Sequence, residues 1–149
     1  MKVTIGNFLL RRLQEAGIEH VFGVPGDYNL ELMKQPEDRG EPAWIGNCNE
    51  LNASCAADGY ARIRGLAAVV VTNGVRALSA ITCIAGASSE HVPVICICGS
   101  IPARAVQRGD LMHHTLADRE KGVSIAPSPK SRSRKRCSPR ETLLLKSTV

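Results

Sequence analysis

The chain predicts an α/β fold, a three-layer sandwich on a mainly parallel sheet, followed by a disordered basic tail. Three observations predict it. Apolar runs such as AAVVVT (67–72) and VPVICICG (92–99) lack polar alternation, as strands buried on both faces do. Such runs alternate with stretches of helical periodicity, the order that wraps helices over both faces of a parallel sheet through right-handed crossovers. Beyond about residue 122 the composition turns to Ser, Arg, Lys and Pro, which cannot supply a core.

The elements follow in order. Thr4 can cap a helix in which Ile5, Phe8, Leu9, Leu13 and Ala16 recur at helical spacing, and Gly17 stops it. A strand from His20 to Val24 closes at Pro25-Gly26-Asp27 and leads into a brief helical stretch from Tyr28 to about Met33. A second strand, Ala43 to Cys48, precedes an Ala-rich helix from Glu50 to Ile63. A third, Leu66 to Thr72, precedes a helix from Val75 to about Ala87, and a fourth runs from Val92 to Gly99. After Ser100 the chain reads as polar loop through Arg104, Gln107, Arg108 and Asp110 to His113-His114.

At 149 residues there is room for one sizeable core, placed here in residues 1–121, with 122–149 as the tail. The formal charge of +5 suggests a nucleic-acid partner until it is divided. Residues 121–149 hold eight Lys or Arg against one Glu, whereas residues 1–120 hold eleven against thirteen acids. The folded part is therefore mildly acidic, and neither nucleic acid nor membrane is expected as its partner. None of the six cysteines is spaced C-x-x-C, and Cys83, Cys96 and Cys98 lie in apolar runs as small hydrophobes would. A structural zinc site is not expected, and a reducing, cytoplasmic setting is. Arg11, Arg12 and Glu15 interrupt the N-terminal apolar residues, so no signal-peptide core or membrane-length run is legible there.

The tail has a second explanation, a reading-frame slip. If the intended frame starts one base earlier, each intended codon takes its last two bases from the first two of the codon read, which nearly fixes its hydropathy. From Ser124 onward the tail then decodes with permitted codons as FDRAFAEVTVAQAVLTPRNAAAEIDRV, an amphipathic segment followed by a Pro-started, Ala-rich helix. On that reading the basic residues were selected for no target.

In open parallel sheets ligands gather at the carboxyl ends of the strands, which here carry Gly26-Asp27, Asn47 to Glu50, Thr72 to Gly74 and Gly99-Ser100. Taken singly, these residues have plain structural roles. Glu50 suits a helix N-terminus, Asp27 an ordinary turn, Gly74 a strain-relieving turn, and His113-His114 an exposed pair.

Taken together, Val24-Pro25-Gly26-Asp27-Tyr28, Asn49-Glu50-Leu51-Asn52-Ala53, Ala57-Asp58-Gly59-Tyr60-Ala61-Arg62 and His113-His114 closely resemble the indolepyruvate, phenylpyruvate and pyruvate decarboxylases. The resemblance covers residues 3 to about 121 and continues into the decoded tail. It implies thiamine diphosphate as cofactor, with this domain holding the aminopyrimidine half. A C-terminal domain, usually of a second subunit, would bring Mg2+ and the diphosphate through a Gly-Asp-Gly to Asn motif, which this sequence does not contain. It further implies that Glu50 places a buried carboxyl against the pyrimidine and donates to its ring nitrogen. Val24, Pro25, Gly26, Thr72, Gly74 and Val75 would line the pyrimidine, and Asp27, His113 and His114 would handle the substrate carboxylate and protons. That Asp with a His pair favours a decarboxylase over a carboligating synthase.

The sequence departs from the family at Arg76, where Gly is usual, and at Ala77, where Glu is frequent; Asn73 replaces a more usual aromatic. A guanidinium at position 76 needs space and a partner. The expectation is thus a fragment of a 2-oxo-acid decarboxylase from a homo-oligomer, inactive alone. The alternatives are a noncatalytic self-associating module and, third, a nucleic-acid binder acting through the tail.

Overall fold

The structure, a computed structural model, describes residues 3–114 and 144–147, with backbone only for 37–39 and 144–147. Its elements are α1 (Ile5–Glu15), β1 (His20–Gly23), α2 (Leu30–Arg39), β2 (Ala43–Gly46), α3 (Glu50–Arg64), β3 (Ala67–Thr72), α4 (Val75–Ser89), β4 (Val94–Gly99), α5 (Ala103–Arg108) and β5 (Leu144–Ser147). The sheet is parallel throughout, in the order β2-β1-β3-β4-β5.

The three layers follow from the period-two alternation of strand side chains. Ala67, Val69 and Val71 of β3 face one way, into a cluster with Ala53, Ala57 and Ala61 of α3 and Ala80, Ile84 and Ala87 of α4. Ala68 and Val70 face the other way, into a cluster with Leu10 and Leu13 of α1, Ile18, and Leu32 and Met33 of α2. All six residues of β3 are buried, which accounts for a run with no polar alternation. The small residues of α3 recur every fourth position, so one stripe of methyl groups lets the helix lie close to the sheet. Burying each valine of β3 contributes about 1.5–3 kcal/mol.

Capping chemistry sets the helix bounds. The Thr4 side chain accepts from the Asn7 amide at 3.2 Å, and Asn49 Oδ1 accepts from the Asn52 amide at 2.8 Å. Gly65 ends α3 in the left-handed conformation at φ 86°.

Several expectations are corrected. α2 continues to Arg39 through Pro36, which has no amide to give the Leu32 carbonyl, and Gly40 closes it at φ 75° by donating to the Pro36 carbonyl at 2.7 Å. The stretch read as loop after Ser100 contains α5, whose polar Arg104, Gln107 and Arg108 face solvent while Ala105 is buried. Cys83 is not a lone small hydrophobe: it forms a disulfide with Cys55, linking α4 to α3 with Cα atoms 5.4 Å apart. Cys96 and Cys98 are buried and outside any disulfide, as expected. At 144–147 the backbone forms β5, which pairs in parallel with β4. The remainder of the tail lies outside the described residues.

Candidate functional site

The order β2-β1-β3-β4 reverses direction between β1 and β3, so the carboxyl ends of these two strands diverge into loops on opposite sides of the sheet. That switch point is where an open α/β sheet leaves a crevice. The loops bordering it are Val24 to Asp27 after β1 and Asn73-Gly74 after β3, and the N-terminus of α3 adjoins them from the end of β2.

Asn29 shapes the first loop. Its side chain, 2% exposed, accepts from the Gly26 amide at 2.7 Å and donates to the Val24 carbonyl at 3.2 Å. The turn is thereby fixed with Gly26 against β3: a Cβ there would lie 2.8 Å from Thr72 Cγ2 and 3.1 Å from Arg76 Nη1. Asn29 was not singled out from the sequence. An Asn three residues beyond a Pro-Gly turn was the available signal.

Glu50 is the first residue of α3 and is 7% exposed. Its approach is held by Asn47, which accepts from the Gly23 amide at 3.2 Å and donates to Asn52 Oδ1 at 3.3 Å. The partner of Glu50 is Arg76, whose Nη1 lies 3.5 Å from Glu50 Oε1 and donates to the Pro25 carbonyl at 3.0 Å. The separation to Glu50 is that of a charge pair but too long for a good hydrogen bond, and Oε1 has no hydrogen-bond donor among the described residues. Thr72 Oγ1, also buried, likewise has none. Both atoms belong to residues that border the contact of Gly26 with Arg76, Thr72 directly against Gly26 and Glu50 through Arg76. Such a donor and acceptor set fits a flat, polar heterocycle such as an aminopyrimidine, with Arg76 standing across it.

A second group assembles beside Asp27. His113 Nε2 lies 3.2 Å from Asp27 Oδ2, and its ring stacks on Tyr28 with centroids 4.6 Å apart and planes 7° from parallel. The Tyr28 hydroxyl donates to the His113 carbonyl at 3.1 Å. Burial, and then the charge of Asp27, raise the pKa of this phenol above its ordinary value. His114 packs edge-on against His113 at 4.9 Å and lies over Gly74, where a Cβ would come within 2.8 Å of His114 Cβ. Gly74, at φ 79°, is therefore required twice, by its backbone and by the histidine above it. A cleft of about 270 Å3 opens on the β4 side of Asp27, lined there by Tyr28, Asn29, Gly99, Ser100 and Pro102; Glu50 is not among its walls.

The expected residues thus form two groups, joined through the Pro25 to Asp27 loop and the turn at Gly74. Glu50, Pro25, Gly26 and Thr72 surround Arg76, and Asp27, Tyr28, His113 and His114 make the other. Val24 belongs to the same loop through its carbonyl. Val75 begins α4 with its side chain 62% exposed, so it borders the site from outside. Among the described residues no cluster of three or more His, Cys, Asp or Glu could hold a metal ion, and no helix is long and apolar enough to cross a membrane.

Fold and site define an α/β domain of the doubly wound class with its polar and ionisable residues gathered at the strands' carboxyl edge. The particular family follows from comparison. Residues 3–121 match the thiamine pyrophosphate enzyme N-terminal TPP binding domain, and the chain belongs to that family. It is 52% identical over 116 residues to a pyruvate decarboxylase of Aspergillus terreus, covering 78% of this chain and 20% of that protein. It is 50% identical over 115 residues to an alpha-keto-acid decarboxylase of Mycobacterium leprae, covering 77% and 20% respectively. The chain therefore spans about one fifth of the length of the curated relatives it matches. Among solved structures, the Rhodococcus jostii RHA1 thiamine diphosphate-dependent 4-hydroxybenzoylformate decarboxylase superposes with a TM-score of 0.65 at 19% identity, over 77% of this chain and 22% of that one. At that identity the likeness is one of fold.

Proposed function

We propose that this chain is the pyrimidine-binding portion of a thiamine-diphosphate- and Mg2+-dependent 2-oxo-acid decarboxylase, inactive on its own. The observation that carries the reading is the buried, hydrogen-bond-poor carboxyl of Glu50 at the switch-point crevice, beside the glycine that lets the 24–27 loop approach Thr72. When bound, thiamine diphosphate supplies the nucleophilic carbon and electron sink for loss of carbon dioxide from a 2-oxo acid, leaving an aldehyde.

The chain's own residues place and protonate. Glu50 presents its carboxyl to the pyrimidine ring nitrogen and can exchange a proton there. Gly26 and Gly74 keep backbone close to the ring, and Thr72 offers a buried hydroxyl. Asp27 orients His113 through the 3.2 Å contact, while Tyr28 holds that imidazole by stacking, so a proton can pass between carboxylate and ring at the crevice mouth. The diphosphate and Mg2+ need ligands this sequence does not contain, which is the reason for proposing inactivity. The chain mixed with thiamine diphosphate, Mg2+ and pyruvate, phenylpyruvate or indolepyruvate is expected to release no carbon dioxide above a blank. Sustained release would overturn the assignment of the missing half.

A second reading, a noncatalytic module that pairs with itself or with full-length subunits, is favoured by one observation. Val75, Leu78 and Ile81 on α4 and Leu51 on α3 are between 41% and 62% exposed, an apolar stripe with no cover among the described residues. The same stripe suits a homo-oligomeric parent. We place the protein in the cytoplasm, a setting in which the Cys55–Cys83 link is open to reduction. The frame-slip reading of the tail predicts that resequencing across codons 118–149 finds a one-base correction opening a frame with a Gly-Asp-Gly to Asn motif downstream. An unchanged frame across those codons sinks that reading.

A further inference from the structure

Arg76 is the residue for which neither fold nor family gives a reason. It is the second residue of α4, where the positive end of the helix dipole disfavours a cation. No acidic residue of the first turn compensates it. Its guanidinium instead reaches back across the switch point, donating to the Pro25 carbonyl at 3.0 Å and facing Glu50 Oε1 at 3.5 Å. It also fills the space beside Gly26 that a side chain at that position would need. The side chain is 37% exposed, so a path into solvent is open to it.

We propose that Arg76 is a built-in competitor for the pyrimidine subsite, occupying the face of Glu50 that a ligand ring must reach. The inference rests on the reading of Glu50 as the pyrimidine-binding carboxyl. A guanidinium is planar, carries its donors in a fork and is always charged, so it donates to the Pro25 carbonyl while facing the Glu50 carboxylate as a charge partner, on the ground that a heterocycle with a ring nitrogen and an amine would take. Ring and guanidinium cannot both lie against Glu50 and Pro25. Binding therefore includes the displacement of Arg76 toward solvent and the loss of its charge pair, which lowers ligand affinity by the strength of that coupling.

The test uses the full chain and the neutral probe 4-amino-5-hydroxymethyl-2-methylpyrimidine, which lacks both the thiazolium and the diphosphate, so competition is read without charge repulsion. Affinity is measured by nuclear magnetic resonance titration for the natural chain, Arg76→Gly and Arg76→Gln, together with the Arg76 side-chain Nε signal of the natural chain. The expected result is a gain of about fivefold or more in both variants, and an Arg76 signal that moves toward the position of a solvent-exposed arginine as probe is added. Should glycine at the second position of α4 unfold the chain, the glutamine variant decides alone, since it keeps the helix and removes the charge. Equal, measurable affinity in all three proteins overturns the role of Arg76 while leaving the pyrimidine site standing. No binding by any of them overturns the pyrimidine site itself, and this inference with it.

Discussion

Asn29 shows how one buried amide can hold a ligand loop in place. It satisfies the Gly26 amide and the Val24 carbonyl at once, so replacing it leaves two backbone groups of the turn to find other partners. Asn29→Ala is expected to destabilise the chain by about 1–3 kcal/mol, read as a lower urea midpoint with an unchanged slope. An unchanged midpoint contradicts the structural role given to that side chain. Residues of this kind mark the limit of what the sequence displayed. Glu50 and Asp27 stand out in the sequence because each follows the carboxyl end of a strand, whereas the His113-His114 pair, beyond α5, stands out only through the resemblance. The reach of Arg76 to Pro25 spans 51 positions and depends on where two loops meet in space, which no local pattern encodes. The 113–27 contact spans a longer interval still, and only the resemblance brought those residues together in advance.

Burial on both faces made the two central strands legible. β3 and β4, sealed on both faces, announced themselves as unbroken apolar runs, and α3 ended one residue from its expected position because Asn49 and Gly65 mark its limits chemically. α5 was missed because only one of its six residues is buried, so its sequence carries surface chemistry. The Cys55–Cys83 link was missed because it joins neighbouring helices across a separation of 28, a distance that has no signature in spacing. β4 also makes a pH prediction. Burial, and then the neighbouring Cys98, push the Cys96 thiol up to about 12 from an ordinary 9.0. Above about pH 9 the unfolded chain gives up this proton while the folded chain keeps it. The contribution of Cys96 to stability is therefore fully present below about pH 9 and is lost as pH rises toward 12, at no more than about 1.4 kcal/mol per pH unit. Urea midpoints between pH 8 and 11 should fall less steeply for Cys96→Ala than for the natural chain. Parallel curves would show that the thiol is not held protonated by the fold.

For the molecule as a whole, the layer order, the parallel sheet and the position of the functional edge all follow from strands without alternation joined by amphipathic helices. The strand order places the crevice between β1 and β3, within the residues 3–121 that match the family. What can be said of the whole chain is bounded by its covering about one fifth of its curated relatives. The central claim is that the β1/β3 edge binds the pyrimidine half of thiamine diphosphate, and it is tested most directly by titrating thiamine into the isotopically labelled full chain and into Arg76→Gly, with and without Mg2+. The account predicts weak, saturable shifts concentrated at the amides of Gly26, Glu50, Thr72 and Gly74, indifferent to Mg2+ and stronger in the variant. Shifts that vanish in both proteins, or that gather away from this edge, would contradict it.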